Sequence, residues 1–333
     1  MKQSTHPLLS VIVVSFNTKD LTVNTLNSVA ADVDRTPRLR NKCELIVVDN
    51  HSQDGSVEAV NNLEFEHCSL QVIVNQENKG FAHANNQGIE RSQGQYIFLL
   101  NSDAVVQPHC LDKLITALDS YPDNSSTAQL SSFHGRLDQL GIAAAQLKNK
   151  DGSIQPQGGS FPNLWSLANH MLLIDDLPLI GKLLPSTQHT GLRFKPKLQA
   201  KKTLIQKDWV GGTAMMIDRA VVNEIGALDP NIFMYGEDIE FCLRARHHHW
   251  DVAVHTEAEA THVGSASSSS EQALLGEIKG YLYIWAKHKP VWQIPILKLL
   301  IWLGCWLRIF LFSFKQDERK KVKTYKQALT LLG

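Results

Sequence analysis

The 333-residue chain lacks an excess of either charge, a paired cysteine motif and a long apolar stretch near its start. Its five cysteines include no Cys-x-x-Cys pair, which favours reduced thiols over a disulfide framework or a zinc site. Thirty-three lysines and arginines balance thirty-three acids, so no overall field predicts nucleic acid as a partner. Residues 1–7 show no signal-peptide core, and we expect a cytoplasmic location.

Four short apolar runs alternate with helical segments in the first hundred residues. The runs cover 9–15, 44–49, 70–75 and 96–101, and the helical segments 21–31, 56–63 and 81–92. Nearly continuous apolar runs predict strands buried on both faces. The alternation predicts a doubly wound, mostly parallel α/β sheet. Residues 121–136 and 152–202 read as loops, whereas 209–217 and 252–255 read as later strands and 238–248 as a helix.

Polar residues follow the apolar runs at the points where the predicted strands end. Ser15 and Asn17 follow the first run, Asp49 ends the second, and Asn101-Ser102-Asp103 follows the fourth. Because a ligand crevice lies beyond the carboxyl ends of parallel strands, we expect these residues at one site. Asp49 could accept a bond from a nucleotide base or ribose, or form an Asx turn. Asp103 could bind a divalent cation, or only cap a turn.

An acidic cluster, Gly236-Glu237-Asp238-Ile239-Glu240, begins the later helix. Acids at a helix start gain from the free backbone amides, so the cluster alone does not require catalysis. Asp238 or Glu237 could nevertheless act as a general base. Arg244, six residues after Asp238, could orient an acid, bind phosphate or form an ion pair within the helix.

One histidine, His262, enters a loop of small residues after the last predicted strand. His262 could bind the metal or the diphosphate, and Gly264 would allow close approach of the backbone. A lone histidine is more often structural.

Taken in order, several stretches resemble glycosyltransferase family 2, the inverting enzymes of the GT-A fold, and in particular its rhamnosyltransferase-like branch. They are 11–17, 47–56, 78–88, 99–103, 151–155, 211–215, 233–244 and 262–267. The resemblance covers roughly residues 8–289. The remaining segment, 290–333, is hydrophobic and basic and is expected to associate with a membrane.

This resemblance implies a nucleotide-sugar donor, best guessed as dTDP-rhamnose, a divalent metal (Mg²⁺ or Mn²⁺), and a lipid-linked saccharide acceptor in cell-surface polysaccharide synthesis. Carried over by position, Asp49 contacts the base, Asp103 binds the metal, and Asp238 deprotonates the acceptor hydroxyl. From its own place after the last predicted strand, His262 is the second expected metal ligand. Expected donor contacts also include Ser15, Asn17, Asn78, Gly80, Asn85, Asn86, Asn101, Ser102, Gly212, Glu237 and Arg244. For Asn85 and Asn86, helix capping is the competing interpretation.

The apolar segment 291–314 is long enough to span a bilayer, but Lys298 and Arg308 would be costly in hydrocarbon. Trp292, Trp302 and Trp306 with the basic tail favour a helix lying on the cytoplasmic membrane surface. A spanning helix, a packing helix or a homodimer contact stay as alternatives.

The sequence lacks the features expected of three other classes of protein. A dehydrogenase or a nucleotidyltransferase would be expected to carry a glycine-rich turn where Ser15-Phe16-Asn17-Thr18 stands. A non-catalytic sugar-nucleotide-binding protein would most readily have lost Asp103 or Asp238, and both are present.

Overall fold

A computed structural model of the chain describes residues 6–120, 139–175, 177, 203–264, 270–314 and 318–333. Its strands form one sheet in the order β3-β2-β1-β4-β8-β6-β9-β5, with β7 paired to β9. The strands are β1 (Leu9–Ser15), β2 (Cys43–Asp49), β3 (Cys68–Val74), β4 (Tyr96–Asn101), β5 (Ala104–Val106), β6 (Gln139–Lys148), β7 (Leu204–Gln206), β8 (Ala214–Asp218) and β9 (Trp250–His262).

Most of the sheet runs in one direction. The strands β3, β2, β1 and β4 are mutually parallel. The strand β8 inserts antiparallel between β4 and β6, and β6 pairs parallel with β9. Only β5, β7 and β8 therefore run against the others among the described strands. This confirms the predicted mostly parallel α/β architecture.

Helices cover both faces of the sheet. They are α1 (Lys19–Arg35), α2 (Ser56–Asn61), α3 (Phe81–Arg91), α4 (Cys110–Ser120), α5 (Leu164–Met171), α6 (Arg219–Ile225), α7 (Glu237–His247), α8 (Ser270–His288), α9 (Gln293–Ser313) and α10 (Arg319–Thr330). Alternate residues of β1 serve two cores, because Val11 and Val13 pack with α1 and α4, whereas Ile12 packs with α3. Such two-sided burial explains the continuous apolar runs.

Several predicted elements differ from the observed ones. The third strand is a half-exposed edge strand, with Val74 48% exposed, because β2 alone pairs with it among the described strands. The region 152–202 contains α5, which an Asn163–Ser166 capping box begins. The predicted strand at 252–255 is part of the first half of the 13-residue β9. The predicted loop at 121–136 lies outside the described residues.

The last three helices pack onto the face of the sheet that carries Ile12. Leu297, Ile301 and Cys305 of α9 belong to the same buried core as Ile12 of β1. By length and composition, α9 is the one described helix that could cross a membrane. Of its most apolar stretch, 33% is buried against the rest of the protein.

Candidate active site

The carboxyl ends of the central parallel strands meet at one edge of the sheet. Ser15 is the register partner of Asp49, and Asn101 is the partner of Val14. Asp103 follows directly, before β5. The polar strand ends therefore lie together, where an open parallel sheet forms its ligand crevice.

Two buried oxygens at this edge lack a hydrogen-bond partner among the described residues: Asp49 Oδ2 and Asn101 Oδ1. The other carboxylate oxygen of Asp49 accepts a bond from Ser52 N at 2.9 Å. The Asx turn and the binding role proposed for Asp49 are therefore compatible, because they use different oxygens. Since buried polar atoms are normally paired, both orphaned oxygens fit contacts with a bound ligand.

Asn17 fastens the end of β1 to the loop after β2. Its backbone is left-handed, with φ of 54°. Its Oδ1 accepts a bond from Gln53 N at 2.8 Å, and its own N–H donates to Ser52 Oγ at 2.9 Å. Non-glycine residues seldom adopt this conformation, and such residues concentrate at functional sites.

The loop before α3 is shaped by Asn78 and Gly80. Asn78 Oδ1 accepts bonds from Asn50 Nδ2 at 2.8 Å and from Gly80 N at 2.9 Å. Gly80 has φ of 96°, and a Cβ placed on it would lie 2.4 Å from Phe233 O. The adjacent Phe81 N donates to the same carbonyl at 2.7 Å. The loop is thereby seated on the segment that leads into the acidic cluster.

Asp103 and His262 come together where β5 pairs with β9. The distance from His262 Nε2 to Asp103 Oδ1 is 3.3 Å, and both side chains are largely buried. On the other side of the ring, His262 Nδ1 lies 3.0 Å from Gln155 Oε1. A ring that donates its Nδ1 proton to this amide oxygen presents the Nε2 lone pair to Asp103.

This pair fits a divalent cation. One carboxylate and one oriented imidazole are suitable ligands for Mn²⁺, and the Gln155 contact is the kind of outer bond that fixes a metal-binding histidine. No group of three or more His, Cys, Asp or Glu side chains placed to hold a metal ion together occurs among the described residues. Protein ligands from the described part of the chain would thus leave coordination positions for a diphosphate.

The acids Glu237 and Asp238 begin α7 and lie in different environments. Glu237 is buried, and its Oε2 has no partner among the described residues. Burial and the neighbouring Asp238 raise the pKa of Glu237 to about 8. Burial also raises the pKa of Asp238 to about 6, against the opposing effect of bonds from Ile239 N at 2.8 Å and Gly212 N at 3.4 Å. Near pH 7, Asp238 is mainly ionised and Glu237 mainly protonated.

The segment before β8 joins the Asp238 end of the crevice to the Asp103 end. Gly212 contacts Asp238, and the next residue, Thr213, accepts a bond from Asn101 N at 2.9 Å through its carbonyl. The buried Gln157 donates to Gly211 O at 3.2 Å. The backbone segments next to Asp238 and next to the Asp103–His262 pair therefore adjoin.

Two predicted donor contacts, Ser15 and Ser102, are buried in a hydroxyl cluster instead. Ser15 Oγ lies 3.0 Å from Thr22 Oγ1, and Thr18 Oγ1 donates to Ser102 Oγ at 3.0 Å. Thr25 Oγ1 donates to Ser102 O. We therefore revise the prediction for both side chains, which join α1 to the strand ends.

Asn85 and Asn86 also face the protein interior. Asn85 Nδ2 donates to Phe81 O at 3.0 Å, one turn earlier in α3. Asn86 binds both backbone groups of Leu228, donating to its carbonyl at 2.7 Å and accepting from its N–H at 3.0 Å. These contacts replace the predicted nucleotide contacts, and neither is a helix cap.

Arg244 has the ion-pair role rather than the phosphate-binding role. Its Nε lies 2.9 Å from Glu240 Oε2. Its two terminal nitrogens donate to Ile225 O at 2.5 Å and Ala227 O at 2.7 Å. All three nitrogens of the guanidinium have partners, so we withdraw Arg244 as a donor contact.

The structure adds residues that the sequence did not single out. Gln155 orients His262, Gln157 lies beside Gly211, and Asn50 holds the Asn78 loop. Gln155 and Asn50 belong to stretches that carried the family resemblance, and that was their only signal. Gln157 has no comparable signal, because a lone glutamine in a loop is uninformative before folding.

The sheet and its helices have the GT-A fold of solved glycosyltransferases. The fold resembles that of a mannosyltransferase from Pyrobaculum calidifontis, solved with GDP-Man and Mn²⁺: TM-score 0.52, 14% identity, 98% of this chain and 87% of that one. It also resembles GalNAc-T7, solved with UDP, GalNAc and Mn²⁺: TM-score 0.56, 14% identity, 99% of this chain and 56% of that one.

Residues 10–152 match the sequence model of the family described as Glycosyl transferase family 2. This match assigns residues 10–152, less than half of the chain, to a family 2 glycosyltransferase domain. The chain is 21% identical over 296 residues to an N-acetylglucosaminyl-diphospho-decaprenol L-rhamnosyltransferase of Mycobacterium tuberculosis, covering 84% of this chain and 87% of the relative. It is 24% identical to the low-salt glycan biosynthesis hexosyltransferase Agl10 of Haloferax volcanii, covering 76% and 66%.

Proposed function

We propose that this protein is an inverting glycosyltransferase that moves a sugar from a nucleotide donor to a hydroxyl group of a lipid-linked saccharide. The observation that carries the proposal is the arrangement of Asp238. It is ionised near pH 7, partly exposed at the start of α7, and bonded to Gly212, whose segment reaches the Asp103 edge. A base with a pKa just below the working pH is suited to accept a hydroxyl proton.

In this reaction, the oxygen of the acceptor hydroxyl attacks the anomeric carbon of the donor sugar, and Asp238 accepts the proton of that hydroxyl. The bond from that carbon to the diphosphate oxygen breaks, and the nucleoside diphosphate leaves with the bonding electrons. A single displacement inverts the anomeric configuration. The backbone around Gly212 holds Asp238 in place, and burial of the protonated Glu237 keeps a second negative charge away from the leaving diphosphate.

Asp103 and His262 would hold Mg²⁺ or Mn²⁺, which when bound neutralises charge on the diphosphate. The orphaned Oδ2 of Asp49 is proposed to accept a bond from the nucleotide, beside the loop shaped by Asn78 and Gly80. Asn17, Asn101 and Gly212 stay as proposed donor contacts along the same edge. Both solved neighbours contain Mn²⁺ and a nucleotide or nucleotide sugar, which supports a metal-assisted donor site.

We propose dTDP-rhamnose as the first donor to test, followed by other dTDP- and UDP-sugars. The mycobacterial relative is named as an L-rhamnosyltransferase acting on a diphospho-decaprenol-linked sugar, which supports rhamnose as the transferred sugar and a lipid-linked acceptor. Transfer to such an acceptor would serve cell-surface polysaccharide synthesis. Specificity among sugars depends on pocket walls, so the donor must be measured.

The central experiment measures transfer by the purified protein with a donor panel, Mg²⁺ or Mn²⁺ and a lipid-linked acceptor. We expect one donor to react, with activity abolished by chelator, by Asp103→Ala and by Asp238→Asn. Asp34→Asn, at an exposed acid near the end of α1, serves as the matched control. Nucleotidyl transfer or donor binding without turnover would overturn the proposal in favour of the other classes. The anomeric configuration of the product tests inversion directly.

We further propose that residues 290–333 place the enzyme on the cytoplasmic surface of a membrane. The outward face of α9 is apolar over its whole length. The exposed side chains there are Ile296, Leu299, Trp302, Leu303, Trp306, Phe310 and Leu311, flanked by Val291, Trp292 and Phe314. An exposed apolar strip of this length normally marks a protein or membrane contact.

The two charges that complicate a lipid contact of α9 point into the protein. Arg308 is 8% exposed and donates to Met171 O at 2.6 Å and His170 O at 2.8 Å, at the end of α5. Lys298 Nζ donates to Leu332 O at 2.6 Å. Neither charge therefore faces the lipid, while the packed inner side of α9 favours a helix lying on the surface over one spanning the bilayer.

The neighbouring helix α10 supplies the charge that anionic lipids attract. Exposed cations on it are Arg319, Lys320, Lys321, Lys323 and Lys326, and residues 289–333 contain nine lysines and arginines against two acids. Each lysine or arginine near an anionic surface contributes about 1 kcal/mol. The apolar and basic surfaces together favour a lipid surface over a second protein copy.

Vesicle sedimentation tests this surface with phosphatidylcholine vesicles that contain or lack phosphatidylglycerol. We expect binding to require phosphatidylglycerol and to be lost in Trp302→Ser/Trp306→Ser but retained in Val74→Ser, an exposed apolar control on the edge strand. A homodimer that dissociates in the tryptophan variant, without vesicle binding, would instead assign the face to a second copy.

A further inference from the structure

The helix α8 forms a wall against the turn that leads into the acidic cluster. A Cβ on Gly280 would lie 2.3 Å from Tyr235 O, and one on Gly276 would lie 2.7 Å from Tyr235 Cδ2. Tyr235 and Gly236 are both left-handed, with φ of 70° and 109°. The backbone of α8 therefore packs directly against the left-handed Tyr235–Gly236 turn. This turn sets the direction in which α7 begins.

A charge cluster around one buried carboxylate fastens the same two helices further along, and Lys287 reaches that carboxylate from the surface with its side chain 38% exposed. Glu240 of α7 is completely buried. Its carboxylate contacts Lys287 Nζ at 2.8 Å, His288 Nε2 at 2.9 Å and Arg244 Nε at 2.9 Å. Two of these three partners lie at the end of α8. A buried carboxylate needs such compensation, because an unpaired charge in the interior is strongly destabilising.

Lys287 is the member that joins two acids on different segments. Besides Glu240, its ammonium contacts Asp229 Oδ2 at 2.5 Å. Asp229 also accepts a bond from Tyr283 OH at 2.8 Å. These bonds and the neighbouring lysine hold the pKa of Asp229 well below its usual range, although burial opposes this. The Asp229 carboxylate therefore stays charged and keeps Lys287 in place.

The segment that contains Asp229 is held in place by α3. Leu228, the residue before Asp229, is bound at both backbone groups by Asn86 of α3. A continuous set of contacts thus runs from α3 through Asp229 and Lys287 to Glu240, which is two residues after Asp238.

We propose that Lys287 is a positioning residue, which holds the first turn of α7 so that Asp238 meets the acceptor hydroxyl in the productive geometry. This inference rests on the proposed role of Asp238 as the base. Lys287 itself acts through Glu240 and Asp229, on the side of α7 away from the crevice. Because small displacements of a reacting group strongly reduce rates, loosening this contact lowers turnover more than donor binding.

The test compares Lys287→Met with Lys287→Arg and with Lys279→Met, a change at another exposed lysine of the same helix. We expect Lys287→Met to lower kcat by about ten- to a hundredfold, with the donor KM and the calorimetric donor Kd changed less than about twofold. Lys287→Arg, which keeps the charge, should recover most of kcat, and Lys279→Met should match the wild type.

Thermal denaturation of each variant and Asp238→Asn complete the design. If Asp238→Asn retains full transfer, the proposed base is wrong. If Asp238→Asn is inactive but Lys287→Met keeps wild-type kcat, the positioning inference is wrong while the proposed function stands. The inference is also overturned if donor affinity falls with kcat, if kcat only follows the folded fraction, or if Lys287→Arg fails to recover turnover while remaining folded.

Discussion

His262 Nε2 lies 3.3 Å from Asp103 Oδ1, and the pairing of β5 with β9 creates this contact by placing His262 opposite Ala104. The two residues come from distant parts of the chain, and Gln155 from a third part orients the imidazole. The structure thus assembles an oriented carboxylate and imidazole pair beside the polar ends of the parallel strands.

If this pair holds the cation, removing the imidazole should weaken metal binding without unfolding the protein. We expect His262→Ala to raise the Mn²⁺ concentration for half-maximal activity by about ten- to a hundredfold, and Gln155→Ala to have a smaller effect in the same direction. Metal titration of donor binding by calorimetry measures this. His248→Ala, at an exposed histidine that contacts Glu224, is the control, and equal effects at His248 and His262 would contradict the assignment.

The pH dependence of transfer should report Asp238. Its pKa is about 6, so kcat should fall as pH decreases through about 6, because the protonated carboxyl cannot accept the hydroxyl proton. Glu237→Gln should leave this fall in place, since Glu237 is already protonated in that range. Single-turnover rates across pH, beside calorimetric donor binding, make the measurement. A flat rate profile below pH 7 would contradict the role of Asp238.

Glu237 should make the protein less stable than it would be with an uncharged residue. The pKa of Glu237 is about 8 in the folded protein against an ordinary value of 4.5, so the unfolded chain gains free energy by ionisation as pH rises between these values. We expect Glu237→Gln to increase the free energy of unfolding by about 3 kcal/mol at pH 7, and by less as pH falls toward 4.5. Denaturant titrations at several pH values check this. Glu90→Gln, on the exposed side of α3, should show no such pH dependence.

Gly80 should tolerate no side chain. A Cβ there would meet Phe233 O at 2.4 Å, and φ of 96° is strained for alanine. We expect Gly80→Ala to cost about 2 to 4 kcal/mol of stability and to weaken donor binding. Gly226→Ala is the matched control, because Gly226 also has positive φ but nothing lies within 4 Å of its added Cβ. Similar losses in both variants would show that backbone strain alone is responsible.

The sequence predicted the central elements well where two-sided burial controlled the pattern. The first strand and the start of α3 were placed at the observed residues, and the acids at the strand ends were located correctly. The prediction from sequence was wrong about the burial of β3, because strand pairing decides which strand lies at the edge of the sheet. It also missed α5, a short helix that depends on the local cap at Asn163. The roles predicted for Arg244 and Asn86 failed because their partners, Ile225, Ala227 and Leu228, are backbone groups that no motif encodes.

The sequence by itself determined the fold class of this protein. The spacing of the apolar runs, the acids at the strand ends and the order of the motifs are all local properties of the chain. The sequence also determined that residues 291–314 are apolar and followed by cations. Only the tertiary structure decided that Lys298 and Arg308 turn inward, that His262 reaches Asp103, and that Lys287 joins Asp229 to Glu240. Such contacts depend on strand pairing and helix packing between distant segments, which fix direction and burial for each side chain.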